Sequence, residues 1–316
     1  QNNNKKYMIK VFGHISPDTD TTVSAILWAW YLKTHTACEA TPYVLGALNK
    51  ETSFVLRKWN VEEPNILELV ADDKVTIVDT NNPQELPANL TETEIVQIID
   101  HHMLAGGIST RSPIDITIKP VACTATIIHD LMGTHTETMP ESMRGIMLSA
   151  ILSDTLAFRS PTTTPHDKAV AEKLAASLSV DIQSYASEMF KAKSDVSDFT
   201  DIGLIHIDSK KSALGDKNIR VSTVETTDPE SILARKAGII EAIQKLVAEE
   251  KDIDDVLFFI IDILKEEATV FTYNKFVTDV IGASFEVTVQ GDTHVLPGVV
   301  SRKKQIIPAL VLPTNN

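Results

Sequence analysis

Histidines and aspartates gather at a few chemically dense points of this 316-residue chain. The first is Gly13-His14-Ile15-Ser16-Pro17-Asp18-Thr19-Asp20, where an apolar run from Met8 to Gly13 gives way to polar residues. Pro17 and the Asp-Thr-Asp run cannot continue a buried strand, so a tight turn is predicted, from which an imidazole and two carboxylates can converge. Alternate residues Asp18 and Asp20 can then face two different cations. The pattern recurs at Asp79, which ends the strand-like Val75 to Val78, and at Asp100, His101 and His102, which end Ile95 to Ile99. Asp154 sits inside the apolar Ile146 to Phe158, where a lone charge is costly to bury without a partner. Singly, each has a plain explanation: such residues make turns and cap helices, Asp79 suits a loop, and Asp154 suits a helix surface. Together they do not, because four neighbouring aspartates raise one another's pKa and call for compensation by two divalent cations. Oxygen donors mixed with imidazole suit manganese, with cobalt, iron or zinc accommodated, and the lack of thiolate ligands argues against a structural zinc site.

These residues need elements to position them. Strand-like runs at 8–13, 43–46, 74–79, 95–100 and 114–119 alternate with helical patterns, notably from Thr21 to about His35, which predicts an α/β fold with a mostly parallel sheet covered by helices on both faces. Open parallel sheets bind ligands at the carboxyl ends of their strands, where the dense points lie. Further helices are expected over 121–132, 141–158 and 165–178. The polar stretch 191–200 reads as a linker, giving a first domain over 1–190 and a smaller α/β domain with a mixed sheet over 201–316. In that second domain strands are expected at 202–207, 219–224, 256–263 and 269–273, an amphipathic helix at 229–249, and a tail strand at 299–312 interrupted by Arg302, Lys303 and Lys304.

Composition narrows the function. A chain of this length with 43% hydrophobic residues can bury two cores. Its 43 acidic against 29 basic residues, net charge -14, would repel a long polyanion, so a nucleic-acid partner is disfavoured. Two cysteines, Cys38 and Cys123, make no disulfide framework and suit a reducing compartment. The apolar runs 25–32 and 256–264 are too short for a bilayer, which takes about 20 residues, so no membrane anchor is expected. The polar amino-terminal end reads as processed or added. His35, His129, His135, His166, His206 and His294 lack ligand spacing, and Trp28, Trp30 and Trp59 lie on helical patterns as packing residues.

The combination GHISPDTD, a strand-end aspartate, Asp100-His101-His102 and Ser153-Asp154 resembles the DHH phosphoesterase superfamily. With Ser301-Arg302-Lys303-Lys304-Gln305 and Cys123-Thr124-Ala125-Thr126 it is similar, from about Met8 to Leu312, to the family II inorganic pyrophosphatases. The resemblance implies hydrolysis of inorganic pyrophosphate to two phosphates with two Mn2+ or Co2+ ions. It assigns His14 and Asp18 to one ion, Asp20 and His101 to the other, and Asp79 and Asp154 to both, with a water activated between them. It also implies that His102 faces the substrate, that Lys210, Arg302 and Lys303 reach the phosphates, and that further Mg2+ or Mn2+ accompanies the substrate. A cytoplasmic homodimer formed through the first domain, with the site between two moving domains, belongs to the same expectation. The chain departs from the family at Thr80, Asn81 and Asn82, where His-Asn-Glu is usual, and at Ala122, where Gly is usual. The phosphate lysine is read as Lys210, after Asp208 and Ser209 at a strand end, with Lys211 the alternative. A DHH enzyme cleaving short oligonucleotides, cyclic dinucleotides or polyphosphate would share the metal ligands, but the Gly-Gly-Gly-His type of stretch usual in such relatives is absent after residue 200. A non-catalytic metal-binding regulator is the remaining reading.

Overall fold

A computed structural model describes residues 7–313; the polar amino-terminal end lies, through residue 6, outside them. The chain divides into two compact units, Gln1–Lys193 and Ser194–Asn316.

In the first unit six strands, β1 (Met8–Phe12), β2 (Glu39–Val44), β3 (Asn65–Ile66), β4 (Lys74–Val78), β5 (Glu94–Asp100) and β6 (Asp115–Ile118), pair in the order β3-β2-β1-β4-β5-β6. All pairings are parallel, so every connection is a crossover. The chain winds outward from β1 to β3 and then returns to β4 on the other side. That reversal opens a crevice between the carboxyl ends of β1 and β4, the usual ligand position in open parallel sheets.

Helix α1 (Thr19–His35) leaves this crevice and is buried continuously from Thr19 to Ala29, packing on β1, β2 and the later helices α3 (Thr124–Met132) and α4 (Glu141–Asp154). A helix enclosed on all sides reads as a nearly unbroken apolar run, as 23–32 does. Between β2 and β3 lies α2 (Lys50–Lys58), and α5 (Pro165–Leu178) and α6 (Ile182–Lys193) close the unit. Two glycines permit close approach. A Cβ on Gly13 would fall 2.5 Å from Thr21 Cγ2 and 2.8 Å from the Val78 carbonyl oxygen, and one on Gly145 would fall 2.0 Å from the Trp59 ring.

The second unit runs α7 (Asp201–His206), β7 (Asp208–Leu214), β8 (Lys217–Thr226), α8 (Pro229–Leu233), α9 (Lys236–Glu249), β9 (Asp255–Asp262), β10 (Glu267–Phe271), α10 (Lys275–Phe285), β11 (Thr293–Pro297) and a short α11 (Ile307–Ala309). Its sheet, ordered β11-β10-β9-β8-β7, is mixed: β8 and β9 are parallel and the other pairs antiparallel. Alternate residues of β9 serve two cores, Val256, Phe258 and Ile260 packing with α7 and α9, and Leu257, Phe259 and Ile261 with α10. No helix among the described residues is long and apolar enough to cross a membrane.

Several expectations are corrected. The stretch 202–207 is helical, not a strand: Thr200 caps the amide of Gly203, and adjacent Leu204 and Ile205 are buried in one core, whereas strand neighbours would face opposite sides. The helix expected over 229–249 breaks into α8 and α9, and Arg235 at the break bonds Asp201 and the carbonyls of Val196 and Phe199. Residues 191–193 of the expected linker finish α6. The tail is not a strand: residues 302–306 form a π turn, with the Ile306 amide donating to the Ser301 carbonyl at 3.0 Å. Gln305 locks that turn by accepting from the amides of Val300 and Ser301 and donating to the Gly298 carbonyl, while Ile306 enters the core.

Because Trp59 occupies the space above Gly145, Gly145→Ala is expected to cost on the order of 1–3 kcal/mol through overpacking, despite the better helix propensity of alanine. Thermal unfolding of the purified variant checks this.

Candidate metal centre

The crevice receives its side chains from four places. After β1 the chain passes through Ser16, at φ 53°, so that His14 points in and Asp18 caps α1 by accepting the Thr21 amide at 2.9 Å. Asp20 follows in the first turn of α1. Beyond β4, Asp79 adopts φ 62°, a left-handed conformation that aspartate tolerates better than most residues and that turns its carboxylate out of the ladder. After β5 come His101 and His102. Asp154 is the last residue of α4, and the chain then makes three successive left-handed residues, Leu156, Ala157 and Phe158, at φ 48°, 50° and 73°. The helix expected to reach Phe158 therefore stops at Asp154. A run of non-glycine left-handed residues is costly and persists only where its surroundings enforce it.

These residues meet. His14 Nε2 lies 3.4 Å from Asp79 Oδ2 and 3.5 Å from Asp18 Oδ2. His101 Nε2 lies 3.3 Å from Asp79 Oδ1 and 3.9 Å from both Asp20 Oδ2 and Asp154 Oδ2. Donor atoms of His14, Asp18 and Asp79 converge within 4.8 Å, as do those of Asp20, His101 and Asp154, and those of Asp79, His101 and His102. Asp79 thus stands between two donor groups. The imidazoles are oriented from behind: His14 Nδ1 bonds the Ile15 carbonyl at 2.7 Å and His101 Nδ1 the Val121 carbonyl at 3.0 Å, leaving both Nε2 atoms toward the carboxylates.

The carboxylates are held by groups that single motifs do not reveal. Asp79, 1% exposed, accepts from Thr21 Oγ1 at 2.6 Å and Thr124 Oγ1 at 2.9 Å. Asp20, fully buried, accepts from the amides of Thr124 and Ala125 at the start of α3, and from Ser24 Oγ. The positive end of α3 favours its negative charge. Asp100 takes no place in the donor groups; it accepts from the amides of His101 and His102, from His102 Nδ1 at 2.8 Å and from Asn81 Nδ2 at 2.6 Å. Asn81 also ties the Met103 carbonyl and the Ala105 amide, and Thr80 bonds Glu85, so the departures at 80–82 build the loop wall.

Charge crowding is visible in the ionisation. Burial and the Asp79 charge push Asp20 up to about 7. Burial followed by Asp20 and Asp79 pushes Asp154 well above the carboxylate range. Burial works against a charged Asp79 too, but His101 and His14 outweigh it and hold it below that range. Burial would lower both imidazoles, yet Asp18 and Asp79 raise His14 to about 11, and Asp79 and Asp20 raise His101 to about 9. The Asp100 hydrogen bond raises His102. Burial, with Asp20 next, pushes the Cys123 thiol up, so it stays protonated and is no ligand. Protons thus compensate a site made of four carboxylates and two inward imidazoles. Divalent cations fit that donor set, and its mixed oxygen and nitrogen character matches manganese-type ions.

The second unit carries the basic residues. Lys210 lies inside β7, third residue of the strand and not at its end, opposite Val221; Lys211 lies opposite Arg220. Lys211 pairs with Asp252 at 2.6 Å and Glu250 at 3.3 Å, whereas Lys210 and Lys303 form no ion pair among the described residues. Arg302 forks onto Asp208, NH2 to Oδ1 at 2.6 Å and Nε to Oδ2 at 3.2 Å.

A model of the DHH family, N-terminal domain, matches residues 8–151, and one of the DHHA2 domain matches 187–311. The Bacillus subtilis "Manganese-dependent inorganic pyrophosphatase" is 38% identical over 304 residues, 96% of this chain and 97% of that protein. A Bacillus mycoides relative named "Probable manganese-dependent inorganic pyrophosphatase" is 39% identical over 304 residues with the same coverage, 96% and 97%. A crystal structure from Methanococcus jannaschii, described as a candidate family II inorganic pyrophosphatase, shares 34% identity, covers 96% of this chain and 98% of its own, and superposes with a TM-score of 0.60.

Cations that replace the protons on His14, His101 and Asp20 must release them, so affinity falls as pH drops and these groups refill. Mn2+ uptake by the metal-stripped chain at pH 7 is expected to release on the order of one proton per ion and to tighten toward pH 9. Calorimetric titration in buffers of different ionisation enthalpy measures both.

Proposed function

The chain belongs to the manganese-dependent inorganic pyrophosphatases of the DHH family, and on that premise we propose that it hydrolyses inorganic pyrophosphate to two orthophosphates at the centre built by His14, Asp18, Asp20, Asp79, His101 and Asp154. The observation that carries this reading is the convergence of donors in two groups about Asp79. In the proposal two Mn2+ or Co2+ ions are held there, Asp79 and Asp154 serving both, with further Mg2+ or Mn2+ arriving with the substrate. When bound, such ions lower the pKa of water from about 15.7 toward 7 and offset phosphate charge.

The protein's own groups do the rest. His14 and His101 offer lone pairs at Nε2 because their Nδ1 atoms are engaged by backbone carbonyls. His102, half exposed and held through Nδ1 by Asp100, presents Nε2 outward, where it can donate a proton or hydrogen bond to a phosphate oxygen. Asp79, Asp154 and His102 are thereby the proposed catalytic residues. Lys210, Arg302 and Lys303 are the proposed phosphate-binding residues, Arg302 as a bidentate fork and the lysines as point charges. Lys210 is preferred to Lys211 because Lys211 is already committed to Glu250 and Asp252.

We further infer a cytoplasmic homodimer through the first unit. Both cysteines are free thiols, which suits a reducing compartment. Edge strand β6 exposes Ile116 (54%) near the exposed Met103 (91%) and Leu104 (76%), and a long apolar edge is a surface that another chain can pair with. The acidic balance works against a nucleic-acid partner.

Three outcomes test these assignments. Asp154→Asn is expected to lower both Mn2+ affinity and phosphate release by about tenfold or more, whereas Lys303→Ala raises KM with metal content unchanged. Lys210→Ala is expected to raise KM for pyrophosphate by about tenfold, the worth of one charge-assisted hydrogen bond, with Lys211→Ala near wild type. Ile116→Glu is expected to halve the mass seen by sedimentation equilibrium. Preference for a dinucleotide over pyrophosphate in the reloaded enzyme would reject the substrate assignment.

A further inference from the structure

Glu51 is the second residue of α2 and is 1% exposed, yet no basic side chain pairs with it among the described residues. One of its oxygens, Oε1, accepts two hydroxyls: Thr19 Oγ1 at 2.6 Å and Ser153 Oγ at 2.5 Å. The other, Oε2, is buried with no hydrogen-bond partner. Asn49 caps α2 on the amide of Thr52, and Thr52 Oγ1 meets Thr19 Oγ1 at 3.0 Å, so the helix start is itself anchored at this spot. An unsatisfied buried carboxylate oxygen is costly, and the helix N-terminus offsets only part of that cost. A cost of this kind is retained where function needs it.

The two residues that Glu51 holds are chain neighbours of the ligand carboxylates. Thr19 lies between Asp18 and Asp20 at the start of α1, and Ser153 precedes Asp154 at the end of α4. Asp20 and Asp154 belong to one donor group with His101, and their like charges repel. A single acceptor atom that clasps the residue beside each of them resists that repulsion and sets the gap between the two helix ends. We propose that Glu51 is a positioning residue of the metal centre: its Oε1 clamps Thr19 to Ser153 and so presets the separation of the Asp20 and Asp154 donors for one cation. This rests on the reading of the crevice as a metal centre.

The distinguishing experiment titrates metal-stripped full-length chains with Co2+, followed by calorimetry and visible absorption, alongside thermal unfolding of the metal-free forms. In Glu51→Ala, affinity for one of the two ions is expected to fall by about tenfold or more and the absorption band to change, as outer-shell supports typically do. The metal-free unfolding midpoint is expected to hold or rise, because the unsatisfied oxygen is gone. Glu51→Gln, which keeps the shared acceptor, is expected to restore most of the affinity. Ser153→Ala, which removes one arm of the clamp with little change in volume, is expected to weaken the same ion, and it carries the test if Glu51→Ala does not fold. Unchanged affinity in Ser153→Ala and Glu51→Ala, or parallel loss of affinity and metal-free stability with no rescue by glutamine, overturns the proposal. Failure of the wild-type chain to take up Co2+ overturns the metal-centre reading itself, whereas wild-type uptake matched by Glu51→Ala overturns only the role of Glu51.

Discussion

Asp18, Asp20, Asp79 and Asp154 bring like charges together at the carboxyl ends of neighbouring strands, and much of the first unit can be understood as the means of keeping them there. Repulsion among carboxylates drives them apart or drives protons on, as the raised Asp20 and Asp154 show. Opposing it are the hydroxyls of Thr21 and Thr124 on Asp79, the first amides of α3 on Asp20, and the imidazoles of His14 and His101. These groups come from α1, α3 and the ends of β1 and β5, which explains why α1 is enclosed so completely by the rest of the unit. The enclosure fixes the donors to within a few tenths of an ångström, the precision that coordination demands.

The same economy of partners governs the second unit. Lys211 and Arg220 are committed to Glu250, Lys211 also to Asp252, and Arg302 is steadied by Asp208, which in turn accepts from Thr223. Lys210 and Lys303 stand outside these pairs among the described residues. Guanidinium held in a fork by a carboxylate loses less conformational freedom on meeting phosphate than a free side chain does. The π turn serves the basic segment in the same way, since Gln305 and Ile306 immobilise the backbone on which Arg302 and Lys303 are mounted.

Strain and unsatisfied polar atoms cluster near the crevice. Ser16 and Asp79 adopt left-handed conformations on either side of it, and Leu156, Ala157 and Phe158 do so directly after Asp154. Glu51 Oε2 lies buried without a partner beside them in the fold. Conflicts between local preference and global structure are expected to concentrate where chemistry is done, because a side chain aimed at a ligand is seldom aimed at its own most stable contacts.

The α/β architecture of the first unit and its ligand-bearing strand ends were legible in the amino-acid sequence, because apolar runs of five to seven residues ending in Asp or His can scarcely be anything else. GHISPDTD, Asp79, Asp100-His101-His102 and Ser153-Asp154 each announced chemistry through local composition. Composition alone did not separate Asp100, which orients His102, from the aspartates that face the crevice, since strand-end position is common to Asp79 and Asp100. Nor did it reveal that 202–207 is helical or that the basic tail turns into a π bend, because short apolar segments satisfy either period until the core they enter is known. Glu51, Thr21 and Thr124 carry no motif of their own; they are 28 to 103 residues from what they support only along the chain, and folding is what brings their oxygens within hydrogen-bond reach. Periodicity and residue type act locally and are written in order along the chain, whereas the partner of a buried charge is decided by which distant segments share its pocket, and only the tertiary structure decides that.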